Sequence, residues 1–220
     1  MPGKMIVIDG NDGSGKQTQA GMLQGYLANR DCKVMKISFP RYEETFFGNE
    51  LKKALAGSYG DFLHLDPHLA AIPYAADRWQ STKEIQEFLA SGGYVICDRY
   101  ATANQIHQGG KIDDEAERVE FISWLEMLEY GVFGIQRPDI CVYLDVPPEV
   151  AEKLMSDKTR DIVENNPQYL RNSYLTAQWL IKRNPRNWIH INCMHEGQMR
   201  PKEDIHGEIG HWLYEQGFIF

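Results

Sequence analysis

The stretch MIVIDGNDGSGKQT, Met5 to Thr18, decides the architecture. MIVID is a short apolar run of the kind that forms a strand covered on both faces, and the segment from Lys16 to Asn29 has helical period. Between them lies a glycine-rich turn. In a strand, turn and helix of this order, backbone N–H groups and a helix N-terminus can wrap a polyphosphate, with Lys16 reaching its terminal phosphates. Gly13 and Gly15 let the backbone approach closely, and the candidate cradle is Asn11, Asp12, Gly13, Ser14, Gly15, Lys16, Gln17 and Thr18. The strict pattern places Ser or Thr directly after the lysine. Here Gln17 stands there and Thr18 follows, so an amide oxygen becomes a candidate ligand for Mg²⁺. The plain alternative is a βα turn whose glycines serve tight geometry alone.

Further along, four more β-rich runs read as strands: Lys33 to Ser38, Tyr94 to Asp98, Ile140 to Val146 and Trp188 to Asn192. Helix candidates fall between them, among them Leu69 to Trp79, Ser81 to Leu89, Glu115 to Glu129 and Pro148 to Met155. Alternation of this kind predicts an α/β protein, a five-stranded parallel sheet with helices on both faces, and the glycine-rich turn with Lys16 after the first strand makes the expectation a three-layer P-loop NTPase fold. Near the end, Pro201 precedes Ile205, Ile209, Trp212 and Leu213 at helical spacing, which predicts a closing helix with one apolar stripe. Residues 1–220 read as one domain, without repeats or a linker. The polar segment SDKTRDIVENN, 156–166, reads as an ordinary loop or a lid.

At 220 residues, 43% hydrophobic and 25% charged, the chain has the composition of a globular protein, not of a fibre or a disordered tail. Its 23 basic and 31 acidic residues leave a formal charge of −8, which argues against gripping a nucleic-acid backbone over a long surface. No apolar run approaches the roughly 20 residues needed to cross a bilayer, and with Met1 running almost directly into MIVIDG no signal peptide is expected. Cys32, Cys97, Cys141 and Cys193 lack metal-ligand spacing and read as reduced thiols. A cytoplasmic protein with no membrane partner is the expectation.

Other motifs narrow the ligand. CDRY, Cys97 to Tyr100, puts Asp98 and Arg99 at the carboxyl edge of the sheet. There a carboxylate can hold the water shell of Mg²⁺ and an arginine can fork two phosphate oxygens; a simple strand-end ion pair is the alternative. FPRY, Phe39 to Tyr42, and YAADRW, Tyr74 to Trp79, each place an arginine beside aromatics, a combination suited to a planar base carrying a phosphate.

With these motifs in this order, joined by RPDICVYLDVPPE and by Asp161 and Glu164, the chain resembles thymidylate kinase from Met5 to about Asn192. The resemblance implies transfer of the ATP γ-phosphoryl group to dTMP, with Mg²⁺, by a homodimer whose partners are otherwise small nucleotides. It implies that Asp12 faces the sugar 3′-hydroxyl and the metal region, that Phe39 and Tyr42 shape the acceptor pocket, and that Arg41 lies near the acceptor phosphate or the chemistry. It further implies that Tyr74 stacks on thymine, Arg78 reaches the base edge, Arg99 holds the acceptor phosphate and Asn104 contacts the ring. Two departures stand out. Ala103 replaces a common serine, and His107 stands where the family carries a tyrosine that packs on deoxyribose.

Phosphoryl transfer leaves the protein mainly positioning and charge neutralisation. The catalytic candidates are Lys16, Asp12, Arg99, Arg41 and Arg160, and the metal candidates Asp98, Asp12 and Gln17. NDGSG in the phosphate loop carries no arginine, so Lys158 and Arg160 become the natural donors of positive charge over ATP. Two alternatives stay open: a kinase for another acceptor such as dUMP, UMP or a nucleoside, and a nucleotide-binding switch without catalysis.

Overall fold

A computed structural model describes residues 3–154 and 166–219. Five parallel strands, β1 (Lys4–Gly10), β2 (Val34–Ser38), β3 (Tyr94–Asp98), β4 (Ile140–Asp145) and β5 (Trp188–Asn192), form a sheet in the order β2-β3-β1-β4-β5. Each lies within a residue or so of its sequence-predicted span; the inner strands β1, β3 and β4 are apolar because both their faces are buried, whereas the edge strands β2 and β5 expose Lys36 and Ser38, and His190 and Asn192. Met5 and Val7 join Val95, Cys97, Cys141 and Tyr143 in one core, while Ile6 and Ile8 join Ile96, Val142 and Leu144 in the other. Alternation by two residues thus feeds two cores from one strand.

Helix α1 (Lys16–Ala28) covers the second core through Leu23 and Leu27, together with α9 (Lys202–Glu215). Helices α4 (Thr82–Ala90), α5 (Ala101–Gly109) and α8 (Pro167–Arg183) cover the first core through Ile85, Ile106 and Leu180. The chain therefore leaves β1 toward one face and β3 toward the other. Loops that diverge from neighbouring strands open a crevice at their carboxyl ends, where open α/β sheets bind ligands. The remaining helices are α2 (Phe46–Leu55), α3 (Pro67–Gln80), α6 (Glu115–Glu126) and α7 (Pro148–Leu154).

Several details differ from the sequence reading. The helix read to Glu129 leaves α-geometry at Met127, where the chain widens into a π-helical turn through Val132. In α9 Ile205, Ile209 and Leu213 are buried, but Trp212 is 44% exposed, so the inward stripe is narrower than its spacing suggested. A small hairpin, β6 (Met194–His195) and β7 (Gln198–Met199), turns on Glu196 and Gly197, both at positive φ. Cys97, Cys141 and Cys193 are buried, Cys32 is half-buried, and all four are free thiols. Among the described residues no helix is long and apolar enough to cross a membrane. Asn166 caps α8 by accepting from Tyr169 N at 3.0 Å; the rest of segment 156–166, with Lys158, Arg160, Asp161 and Glu164, lies outside the described residues.

Candidate active site

The turn after β1 is built to face an anion. Gly13 and Gly15 sit at φ 81° and 89°, where an L side chain would be strained, and Gly15 opens α1 without any side-chain cap. Uncapped first-turn N–H groups and the positive end of the helix dipole are then left for a ligand. Asn11 Nδ2 donates to Val146 O at 2.9 Å and ties the turn to the end of β4. Ser14 Oγ is buried with no partner, a polar atom held ready for one. Gln17 and Thr18 lie exposed on the first turn of α1.

Lys16 is 6% exposed and folds back over the turn, donating to Gly10 O at 2.9 Å and Asn11 O at 2.7 Å, with Asp12 Oδ1 at 3.5 Å. Burial, reinforced by the Arg99 charge, holds its ammonium below the usual lysine range. Asp12 also accepts a close ion pair from Arg99 Nη2. Burial pushes the Asp12 carboxyl up, but Arg99 and Lys16 outweigh it and hold it well below the ordinary carboxylate range. Arg99 itself has φ 62°, a strained conformation for a non-glycine residue, held by its N–H bond to Ile8 O at 3.0 Å. Burial works against its charge, yet Asp12, Asp9 and Asp98 together push its pKa up, so the guanidinium is permanently charged.

Two carboxylates end neighbouring strands here, since Ile8 pairs with Asp98 in the sheet register and Asp9 follows Ile8. Asp98 Oδ1 is buried and unpartnered. Asp9 was not singled out from sequence, although a carboxylate closing a wholly apolar strand was a usable signal. It is fully buried and accepts from Thr102 Oγ1 at 2.8 Å and Gly10 N at 2.9 Å, and burial raises its pKa.

Beside this centre opens a cavity of about 270 Å³. Asp12, Phe39, Tyr42, Tyr74, Arg78, Arg99, Asn104 and His107, scattered over the sequence, all line it. Leu55, Gln108 and Tyr169 line it as well and were not foreseen, because α2, α5 and α8 bring them there from segments without a local motif, and Tyr100, the last residue of CDRY, joins them. Phe39 meets Tyr100 edge-on with centroids 5.5 Å apart, and Tyr74 lies against Phe62 at 6.1 Å. His107 stacks nearly parallel on Tyr169, 5.8 Å between centroids and 9° between planes. Burial, with Arg99 and Lys16 adding to it, pushes the His107 pKa down to about 3, so its ring is neutral at physiological pH.

Arg41 is placed differently. Its guanidinium pairs with Glu44 and Glu84 and donates to Ser81 Oγ at 2.9 Å, and it does not line the cavity. Its backbone N–H donates to Asp77 at 3.0 Å, so the FPRY turn is anchored to α3 by main chain. Among the described residues no group of three or more His, Cys, Asp or Glu is arranged to hold a metal ion.

Known proteins similar to this chain point to one family. The sequence model of the family described as Thymidylate kinase matches residues 8–209. A thymidylate kinase of Plasmodium falciparum is 30% identical over 210 residues, covering 94% of this chain and 88% of that protein. One from Mycobacterium tuberculosis is 28% identical over 170 residues, 77% of each chain. The solved thymidylate kinase of Candida albicans superposes with a TM-score of 0.77 at 20% identity, covering 98% of this chain and 93% of that one, a likeness of fold. With the match spanning the phosphate turn, the paired strand-end carboxylates and the walls of the cavity, the chain belongs to the thymidylate kinase family.

Proposed function

We propose that this protein transfers the γ-phosphoryl group of ATP to dTMP, giving ADP and dTDP. The observation that carries the reading is the junction at Asp12 and Arg99. Lys16 of the phosphate turn reaches Asp12, Asp12 pairs with Arg99, and both Asp12 and Arg99 line the cavity. A triphosphate on the turn and a monophosphate in the cavity would therefore meet at one cluster of fixed charge.

Lys16 and the uncapped N-terminus of α1 bind the donor phosphates, and Arg99 forks the acceptor phosphate. No side chain has to act as a base, because a phosphate monoester is largely ionised at neutral pH. Mg²⁺ would neutralise charge on the donor phosphates, and the unpartnered Asp98 oxygen, with Ser14 Oγ close by in sequence to Lys16, is the oxygen chemistry that suits it. Asp12 is committed to two cations and Gln17 is exposed, so Asp98 is the stronger ligand candidate. Tyr74 supplies an aromatic face for the base, and the His107–Tyr169 stack forms a second wall. Arg160, which lies outside the described residues, is the candidate for further positive charge in the transition state. The working form is a cytoplasmic homodimer, for which the exposed Leu69, Ile72 and Trp79 of α3 offer an apolar face; sedimentation would read the dimer.

ADP release measured over a panel of monophosphates tests the reading. The expected order is dTMP, then dUMP, with dCMP about tenfold or more behind in kcat/KM. Absence of transfer to any of them, or UMP equal to dTMP, would refute thymidylate specificity.

A further inference from the structure

Behind the cavity lies a charged cluster that the sequence reading did not contain. Glu129, Arg78 and Asn104 are 1%, 2% and 3% exposed. Glu129 Oε2 accepts from Arg78 Nε at 2.7 Å, and Oε1 accepts from Arg78 Nη2 at 2.6 Å and from Asn104 Nδ2 at 3.0 Å. Arg78 and Asn104 line the cavity, whereas Glu129 does not. We infer that Glu129 is a positioning residue for base recognition, which orients Asn104 and Arg78 so that the cavity accepts thymine or uracil and rejects cytosine. The inference rests on the reading of the cavity as the acceptor site.

The Asn104 amide is held in one orientation. Its Nδ2 donates both to Glu129 and to Ala71 O, the latter at 3.1 Å. A carboxylate and a carbonyl only accept, so these two neighbours fix the amide one way round and commit both of its protons. What Asn104 can still offer to the cavity is Oδ1, an acceptor. Thymine and uracil carry a proton on ring N3 that such an acceptor takes. Cytosine carries a lone pair there, which would face another lone pair. Arg78 complements this: Glu129 holds its Nε edge while Nη1 donates to Tyr100 O at 3.3 Å, so a planar donor is presented in one orientation to a base carbonyl. Cytosine has an amino donor at the corresponding edge.

The backbone gives Glu129 this place. Past α6 the ladder widens, and Phe133 N bonds to Leu128 O, five residues back, at 2.9 Å. Such π-turns change the angular register of the residues in them and recur at functional sites. A buried ion pair of this kind is a weak source of stability compared with an apolar core, which favours a role in specificity.

The test compares wild type with Glu129→Gln and Glu129→Asp. Glutamine turns one acceptor oxygen into a donor, which then faces a donor of Arg78 or Asn104 and loosens one of them. Aspartate keeps the charge in the core but withdraws its reach by one methylene. In both, the dTMP KM should rise and the dTMP-to-dCMP ratio of kcat/KM should fall about tenfold or more, with the ATP KM unchanged. Glu129→Asp keeps the test open if the glutamine variant does not fold. Folded variants with an unchanged ratio, equal losses on every acceptor, or failure of both to fold would each overturn the positioning role. A wild-type protein that phosphorylates no pyrimidine monophosphate would instead overturn the kinase reading beneath it.

Discussion

Replacing Arg99 by lysine separates charge from geometry at the junction of the two substrate sites. The positive charge stays, so Asp12, Asp9 and Asp98 keep the neighbour that offsets them. The left-handed backbone at φ 62° is equally strained for either side chain, so that cost cancels. What lysine lacks is the planar fork. In the structure one prong of Arg99 holds Asp12, and a point charge cannot serve that carboxylate and an acceptor phosphate with the same directed N–H bonds. The loss is one hydrogen bond between charged groups, about 1.5–3 kcal/mol, or roughly 10- to 150-fold in kcat/KM for dTMP. On the proposed reading ATP is held mainly by Lys16 and the turn, so its KM should stay within about twofold. Steady-state ADP release, with each substrate varied in turn, reads both constants. Equal losses on ATP and dTMP, or none on either, would refute the assignment of Arg99 to the acceptor phosphate.

Three further outcomes are expected, two from this geometry and one, at Arg160, from the proposed function alone. Lys16→Ala removes the ammonium that touches Gly10 O and Asn11 O, so kcat should fall about 10²–10³-fold or more while far-UV circular dichroism stays that of the wild type; near-normal turnover would sink the phosphate-turn assignment. Arg160→Gln should lower kcat with little change in either KM, since its charge is needed when the phosphoryl group is in transit; an untouched kcat would remove it from the mechanism. His107, held near 3 in the folded protein against an ordinary value of 6.5, stays neutral while the unfolded chain takes up a proton, so its contribution to stability is present above about pH 6.5 and is lost on acidification. Between pH 7.5 and 5.5 the wild type should lose about 1 kcal/mol more than His107→Gln in denaturant titrations, and parallel losses would contradict the burial of that ring.

Legibility in the sequence followed locality. MIVID, YVICD and ICVYLD are strands buried on both faces, and the phosphate turn is one contiguous segment whose glycines and lysine act where they stand. Helix α5 was illegible for the opposite reason: ATANQIHQG is nearly all buried, yet it packs small and polar side chains and shows no apolar period. Helix α8 could have been found, since Asn166 and Pro167 together form an N-terminal signal. Arg41 beside aromatics looked like a ligand group; its partner Glu84 comes from α4, a pairing that no local pattern announces. Glu129 is further out of reach, because its role depends on a helix that widens and on two residues 51 and 25 positions away.

The Asp12–Arg99 pair means that the guanidinium lining the cavity already carries an anionic partner. An anion that comes to it finds one prong taken by a carboxylate, so its gain is the attraction of the remaining prongs less the repulsion of Asp12. Chloride, with a single diffuse charge and no directed lone pairs for the fork, gains little on those terms. On the proposed reading, a phosphate monoester brings nearly two charges, along with a sugar and a base that make their own contacts as it arrives. The side chain of Asp12 thus behaves as a tethered anion at very high effective concentration, a standing filter that favours a ligand matched over its full length.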